Sequence, residues 1–150
     1  MGKLSAVVPE SHYDIVEDKN YAQVAMVMPD GTLANNIVAF NWDGEYVRFS
    51  TIKSRQKYKN FTNDQRVAVC IVDPDNAWRY LEIRGRVELE DDKDRSFINS
   101  IAKKYMNQDE YPFDKPGDER VTLTLIPSRV RAEYVHAADG KPENIGVTRD

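Results

Sequence analysis

Residues 21–50 decide the fold: Tyr21-Ala-Gln-Val-Ala-Met-Val-Met28, Pro29-Asp30-Gly31-Thr32, Leu33-Ala-Asn-Asn-Ile-Val-Ala-Phe40, Trp42-Asp43-Gly44-Glu45, then Tyr46-Val-Arg-Phe-Ser50. Tyr21, Val24, Met26 and Met28 among small residues predict a strand over 21–28. The next four residues are a turn, with Pro29 presetting φ and Gly31 free to take positive φ. Leu33 to Phe40 reads as a second strand. After a further Asp-Gly turn, Tyr46, Arg48 and Ser50 alternate with Val47 and Phe49 in a third. Three strands in about 30 residues, joined by tight turns, make an antiparallel meander.

Upstream, residues 9–18 predict a short helix with Tyr13 and Val16 three apart. Downstream the period changes. Tyr58 and Phe61 are three apart and Arg55 and Lys59 four apart, which predicts a two-turn helix over Ser54–Thr62 with Ser54 as its N-cap. Val67 to Val72 is a wholly apolar strand. Arg79 to Glu90 alternates as a long strand, with Gly85 marking a bulge. Phe97, Ile98, Ile101, Ala102 and Tyr105 place a helix over Asp94–Met106. Val121–Ile126 and Val130–Val135 read as closing strands on either side of Pro127. Six or seven strands, short helices and no βαβ rhythm predict a mainly β (α+β) domain. The expected architecture is a small antiparallel barrel with helices packed outside, because closure removes sheet edges. The barrel is expected over residues 1–136, with 137–150, poor in apolar residues, as a C-terminal arm or tail.

Composition fits one globular domain. The 150 residues are 41% hydrophobic and 31% charged, and a chain of this length buries roughly 68–70% of its unfolded surface, enough for a core without staples. A single cysteine forms no internal disulfide, and two histidines, His12 and His136, assemble no zinc cage, so no metal site is expected. The longest apolar run, 67–72, is far below the roughly 18 residues that span a bilayer, and no secretory segment fits the N-terminus. The expectation is a cytoplasmic protein without membrane contact.

The net charge of −4 argues against a nucleic-acid partner. Between Arg48 and Arg66, however, there are six cations (Arg48, Lys53, Arg55, Lys57, Lys59, Arg66) and one anion, Asp64, leaving −9 for the rest. There is no Gly-rich phosphate loop, no Gly-x-Ser-x-Gly and no His-Glu-x-x-His. Cys70 lies mid-run in apolar company and reads as a buried core thiol. Glu88, Glu90, Asp91, Asp92 and Asp94 fill a strand-to-helix junction, where negative charge favours the helix start. What remains is Phe49-Ser-Thr-Ile-Lys-Ser-Arg-Gln-Lys57: a strand ending in hydroxyls, then cations, then a helix start. That combination suits a phosphate, and its alternative is a solvated charged face.

Residues 46–88 resemble the pyridoxamine-phosphate-oxidase-like superfamily, and within it the actinobacterial deazaflavin (coenzyme F420)-dependent reductases. The specific parts are Ser54-Arg-x-Lys-x-x-Asn60 and Tyr80-Leu-Glu-Ile-Arg-Gly-Arg-Val87; a looser match runs from about Ala22 to Val130. The resemblance implies a split β-barrel homodimer with two flavin-type sites at the subunit interface. It places phosphate-binding residues at Lys53, Arg55 and Lys57, with Ser54 beside them, and contacts to ring and tail at Ser50 and Thr51. Asn36, Ile37 and Val38 would lie along the ring, and Trp78, Arg79 and Tyr80 of the partner subunit would close over it. The C-terminal substrate residues of the oxidases that make pyridoxal phosphate are missing, which disfavours that activity.

The reading that follows is an oxidoreductase using reduced coenzyme F420 to deliver hydride to an electron-poor double bond of a small-molecule substrate. A polyanionic coenzyme needs an extended cationic groove, which the basic stretch would supply. Hydride transfer demands orientation and desolvation rather than a dedicated base, so no catalytic residue is assigned; Tyr80 or Arg79 could donate a proton or polarise a carbonyl. The alternatives are the same fold with FMN, a non-catalytic flavin- or haem-binding protein, and a single-stranded nucleic-acid binder using Tyr58 and Phe61. The last is disfavoured by the negative charge and the core spacing of those aromatics.

Overall fold

In the computed structural model, which describes residues 6–138 and 141–144, six strands close a barrel and a seventh extends it. A 3-10 turn, Glu10–His12, runs into α1 (Tyr13–Glu17); then come β1 (Tyr21–Val27), β2 (Leu33–Trp42) and β3 (Val47–Ile52). Next are α2 (Gln56–Asn63), β4 (Arg66–Asp73), β5 (Asn76–Asp91), α3 (Ser96–Met106), β6 (Arg120–Ala138) and β7 (Lys141–Asn144). The sheet order is β3-β2-β1-β4-β5-β6-β7, and β6 also pairs with β3, which closes the ring. Every pairing is antiparallel, and short turns require this of β1–β2, β2–β3 and β4–β5. In the span expected as an arm, β7 folds back on Val135–Ala138; residues 145–150 lie outside the described residues.

Alternation sets the two faces. Ala22, Val24 and Met26 of β1, Phe49 of β3, Val69 and Ile71 of β4, Leu81 and Ile83 of β5, and Leu123 and Leu125 of β6 point inward and are buried. Phe61 of α2 packs edge-on against Phe49, ring centres 6.2 Å apart, and anchors that helix to the barrel. Ile15 and Val16 of α1 join the same core.

Three local expectations need correction. Cys70 is not a core thiol: it stands between inward Val69 and Ile71, so it faces the outer side of β4, half-buried opposite Glu82. Burial, with Glu82 beside it, pushes its thiol up. Pro127 does not split β6 in two. The register slips between Arg84 and Gly85, so Gly85 faces Pro127 while Arg84 faces Arg129, and the imino nitrogen falls at the bulge where no ladder bond is needed. A Cβ at Gly85 would come 2.0 Å from the Ile126 carbonyl oxygen, which is why glycine stands there. Third, Ser54 does not cap α2; Arg55 is the extended N-cap residue, and its side chain makes no cap hydrogen bond.

The acidic junction behaves as its charge implied. The buried Asp92 carboxylate accepts from the Phe97 and Ile98 N–H groups at 3.2 and 2.9 Å, and Asp94 from Ser96 N–H at 3.0 Å, capping α3. His12 is a satisfied interior histidine, its Nε2 2.8 Å from the Glu133 carbonyl oxygen.

Candidate functional site

β3 ends at Ile52. The Arg55 N–H returns to the Ile52 carbonyl at 3.0 Å, and this turn delivers α2 across the end of the barrel. The helix is fixed from below by Phe61 and by buried Asn60, which accepts from Gln56 at 2.9 Å and reaches the Met28 sulfur. Its first turn therefore projects Arg55 and Lys57 sideways, with uncapped N–H groups beside them.

These two cations line a cavity of about 200 Å³. Its floor is β2 (Ile37, Val38, Ala39), one wall is α3 (Ile98, Ile101), and Ser50 comes from the end of β3. Tyr111, from the segment between α3 and β6, and Arg120, at the start of β6, complete it. Five of the sequence-assigned residues thus meet in one place: Ile37, Val38, Ser50, Arg55 and Lys57.

The charges around this cavity separate into two kinds. Among the described residues no carboxylate pairs with Arg55 or Lys57, and burial together with the Arg55 charge pulls the Lys57 ammonium below its ordinary range. Arg120 is buried, and each of its three guanidinium nitrogens has a partner. Its Nε and Nη2 donate to the two Asp114 oxygens at 2.8 and 2.5 Å, Nη1 donates to Ser50 Oγ at 3.3 Å, and the guanidinium lies 4.7 Å over the Tyr111 ring. Asp114 also accepts from Arg95 at 2.7 Å, and the two arginines hold its carboxyl below the usual range.

Other assigned residues go elsewhere. Lys53 turns to Asp91 at 3.1 Å and Glu119 at 3.6 Å, beside a separate, mixed-charge hollow. Arg48 pairs with Asp43 and Arg66 with Asp64, so three of the six cations in the basic stretch have carboxylate partners, and the extended cationic groove is not assembled in this chain. The Thr51 side chain points into the core with an unpartnered buried hydroxyl, and Ser54 and Asn36 are exposed. Arg79 is held by Asp14, Asp73 and the Ser11 carbonyl, which removes it as a proton donor. Trp78 beside it is 69% exposed, and burial raises the Tyr80 phenol.

Tyr111, Arg120, Ile98 and Ile101 were missed by sequence reasoning. The isoleucines read as core at helical spacing, and no local pattern shows that a loop residue and the first residue of β6 reach a cavity 60 residues away in the chain.

The lining suits a phosphate-bearing, partly apolar cofactor. Two cations without a carboxylate partner among the described residues, and open helix N–H groups, favour an anion, while an aliphatic floor favours a ring or chain. No helix among the described residues is long and apolar enough to cross a membrane.

Comparison with known proteins agrees with the architecture. A solved F420 reductase is 37% identical, matching 82% of this chain and 98% of its own, with a TM-score of 0.72. A conserved hypothetical protein from Mycobacterium tuberculosis (21% identity, 88% and 89% covered, TM-score 0.67) shares the fold. So does a putative pyridoxamine 5'-phosphate oxidase from Listeria innocua (21%, 82% and 95%, 0.66). No curated protein matches the chain. Residues 8–134 match the pyridoxamine 5'-phosphate oxidase family across nearly the whole described barrel, and the chain belongs to that family.

Proposed function

We propose that this protein is an oxidoreductase that uses reduced deazaflavin coenzyme F420 to reduce an electron-poor double bond of a small organic molecule. The observation that carries this is the pair Arg55 and Lys57, without carboxylate partners among the described residues, on the wall of a cavity with an aliphatic floor. The 37% identity to an F420 reductase supports the choice of coenzyme.

When bound, the coenzyme supplies a hydride. The chain's own part is to hold and dry it. Arg55, Lys57 and the first-turn N–H groups of α2 bind the phosphate, and Ser50 donates to a neighbouring oxygen. Ile37, with the β2 backbone at Val38 and Ala39, gives the ring its bed, and Ile98 and Ile101 exclude water from the side. Phosphate contacts are equally strong before and during hydride transfer, so they set affinity and position rather than intrinsic rate.

At about 200 Å³ the cavity is smaller than an ordinary cofactor pocket of roughly 300–1,000 Å³, so it takes only part of such a molecule. Ile37 is 64% exposed, and with Leu33 and Val27 it lies on the outer face of β1 and β2. A second copy of the chain covers that face in our reading and brings Trp78 and Tyr80 over the ring, in a two-fold dimer burying upwards of roughly 2,000 Å². A monomer of this chain binding cofactor at full affinity in sedimentation would remove that part of the proposal.

FMN is the second reading. Pairing of Arg48, Lys53 and Arg66 leaves a compact phosphate hook rather than a long cationic track, and a single phosphate suffices for it. Fluorescence titration of the purified protein with each cofactor decides. Tighter binding of coenzyme F420, with F420-dependent turnover, is expected; stoichiometric FMN surviving gel filtration with no F420 binding would overturn the assignment.

A further inference from the structure

Arg120 lines the cavity, yet its surroundings do not suit an anion hook. Two of its nitrogens are committed to Asp114, and its face lies on Tyr111. The Asp114 carboxylate is in turn shared with Arg95, and Tyr111 is tied back through its N–H to Asn99 Oδ1 at 3.0 Å and through its carbonyl to Arg95 at 3.4 Å. The guanidinium is thus fixed in position, with its charge offset only in part, because one carboxylate serves two arginines. The Arg120 side chain is 3% exposed, and its remaining nitrogen, Nη1, donates to Ser50 Oγ.

That last contact determines what Ser50 can do. A hydroxyl has one hydrogen to give and two lone pairs to receive. Arg120 occupies a lone pair of Ser50 Oγ, and among the described residues the hydroxyl hydrogen has no acceptor, while the side chain borders the cavity. We propose that Arg120, locked by Asp114 and Tyr111, is a positioning residue that turns the Ser50 hydroxyl into a dedicated hydrogen-bond donor to an oxygen of the bound anionic cofactor. This rests on the reading of the cavity as a cofactor site. It separates the cations of the cavity by role: Arg55 and Lys57 meet the ligand, and Arg120 acts on it only through Ser50. Polarisation by the guanidinium makes that hydroxyl a better donor than an isolated serine.

A double-mutant cycle tests this with three probes: coenzyme F420, FMN and inorganic phosphate. Ser50→Ala should weaken binding roughly 2- to 12-fold, the range of one neutral hydrogen bond, and Arg120→Gln should do the same. The double variant should lose no more than the worse single one, because both changes remove the same donated bond. Ser50→Thr, which keeps a hydroxyl, should retain affinity. Losses that multiply in the double variant would overturn the proposal, since Arg120 would then act on the ligand or the fold independently of Ser50. If Arg120→Gln does not fold, Asp114→Asn, which loosens Arg120 without removing it, replaces it in the same cycle with the same criterion. Wild-type protein that binds phosphate but neither cofactor would sink the oxidoreductase reading alone, and the cycle read with phosphate would still decide the role of Arg120. Binding of none of the three would overturn both.

Discussion

Arg55 and Arg79 both belong to the set of residues that the sequence points to as cofactor-binding, and their surroundings are opposite. Arg55 stands at the start of α2 beside half-buried Lys57, and among the described residues neither meets a carboxylate. Arg79, with 16% of its side chain exposed, donates to Asp14 at 2.8 and 2.5 Å, to Asp73 at 3.0 Å and to the Ser11 carbonyl at 2.7 Å. It fastens the β4–β5 hairpin to α1. A cation whose two terminal guanidinium nitrogens are both taken up by its own chain is scaffold. Two like charges held close on a partly desolvated wall destabilise the empty protein, and an incoming anion relieves that repulsion. Pairing, more than charge, separates the binding corner from the fastening.

The largest effect that could break this contrast lies in the corner. Arg55→Ala or Lys57→Ala should raise the cofactor dissociation constant roughly 10- to 150-fold, as loss of a charge-assisted hydrogen bond of about 1.5–3 kcal/mol requires. Saturated turnover should stay within a few-fold, the loss should shrink at high salt, and the melting temperature of the cofactor-free protein should not fall. Isothermal titration at low and high ionic strength checks it. Unchanged affinity in both variants would make the corner a charged surface and nothing more.

Arg79→Met should show the opposite signature. Asp73 is largely buried and loses its partner, while half-exposed Asp14 is screened by solvent and contributes less. A loss of about 1–2 kcal/mol follows, or roughly 2–8 °C in melting temperature for a chain of this length, with cofactor affinity unchanged when measured well below the transition. A variant that melts like wild type but binds cofactor weakly would place Arg79 in the site after all.

The same corner predicts a pH dependence. Lys57 has its ammonium destabilised by burial and by Arg55, so it releases its proton below the ordinary 10.5. Between its folded value and 10.5 the unfolded chain holds more protons, so this residue's contribution to stability rises with pH across that window. Anion affinity moves the other way, falling up to roughly tenfold per pH unit once the ammonium is lost. Lys57→Arg, which stays charged, should flatten the alkaline fall below pH 10.5. Identical profiles for both proteins would show that Lys57 does not hold the anion.

Much of this was legible in the chain because it is local. The Asp-Gly turns and inward alternation give the meander, the break at Gly85 gives the bulge, and the Ser54–Asn60 segment gives the basic corner. Pairing across long separations was not legible. Nothing near Lys53 in the sequence announces Asp91 and Glu119, and nothing near Arg79 announces Asp14; each contact exists only once β6 closes on β3, or α1 packs beside the β4–β5 hairpin. Cys70 misled for a related reason: a continuous apolar run reads as buried on both sides, whereas β4 buries only alternate residues and leaves the outer face to be covered by something else.

Lys53 gives the smallest expected effect and the sharpest discrimination between cofactors. It follows the same strand as Ser50 and precedes Arg55 by two residues, so charge alone would group it with the phosphate hook. Its ammonium is raised by Asp91, 3.1 Å away, with Glu119 adding to the effect, and the pair sits in solvent, where such bridges contribute little. Lys53→Met should therefore change affinity for FMN and for coenzyme F420 by less than about threefold and leave the melting curve almost where it was. The informative exception is selective. If Lys53→Met weakens coenzyme F420 severalfold while FMN is untouched, the carboxylate-rich tail must displace Asp91 and Glu119 from the ammonium, and the longer cationic track is assembled on binding. Equal, small changes for both would confine recognition to Arg55, Lys57 and the first turn of α2.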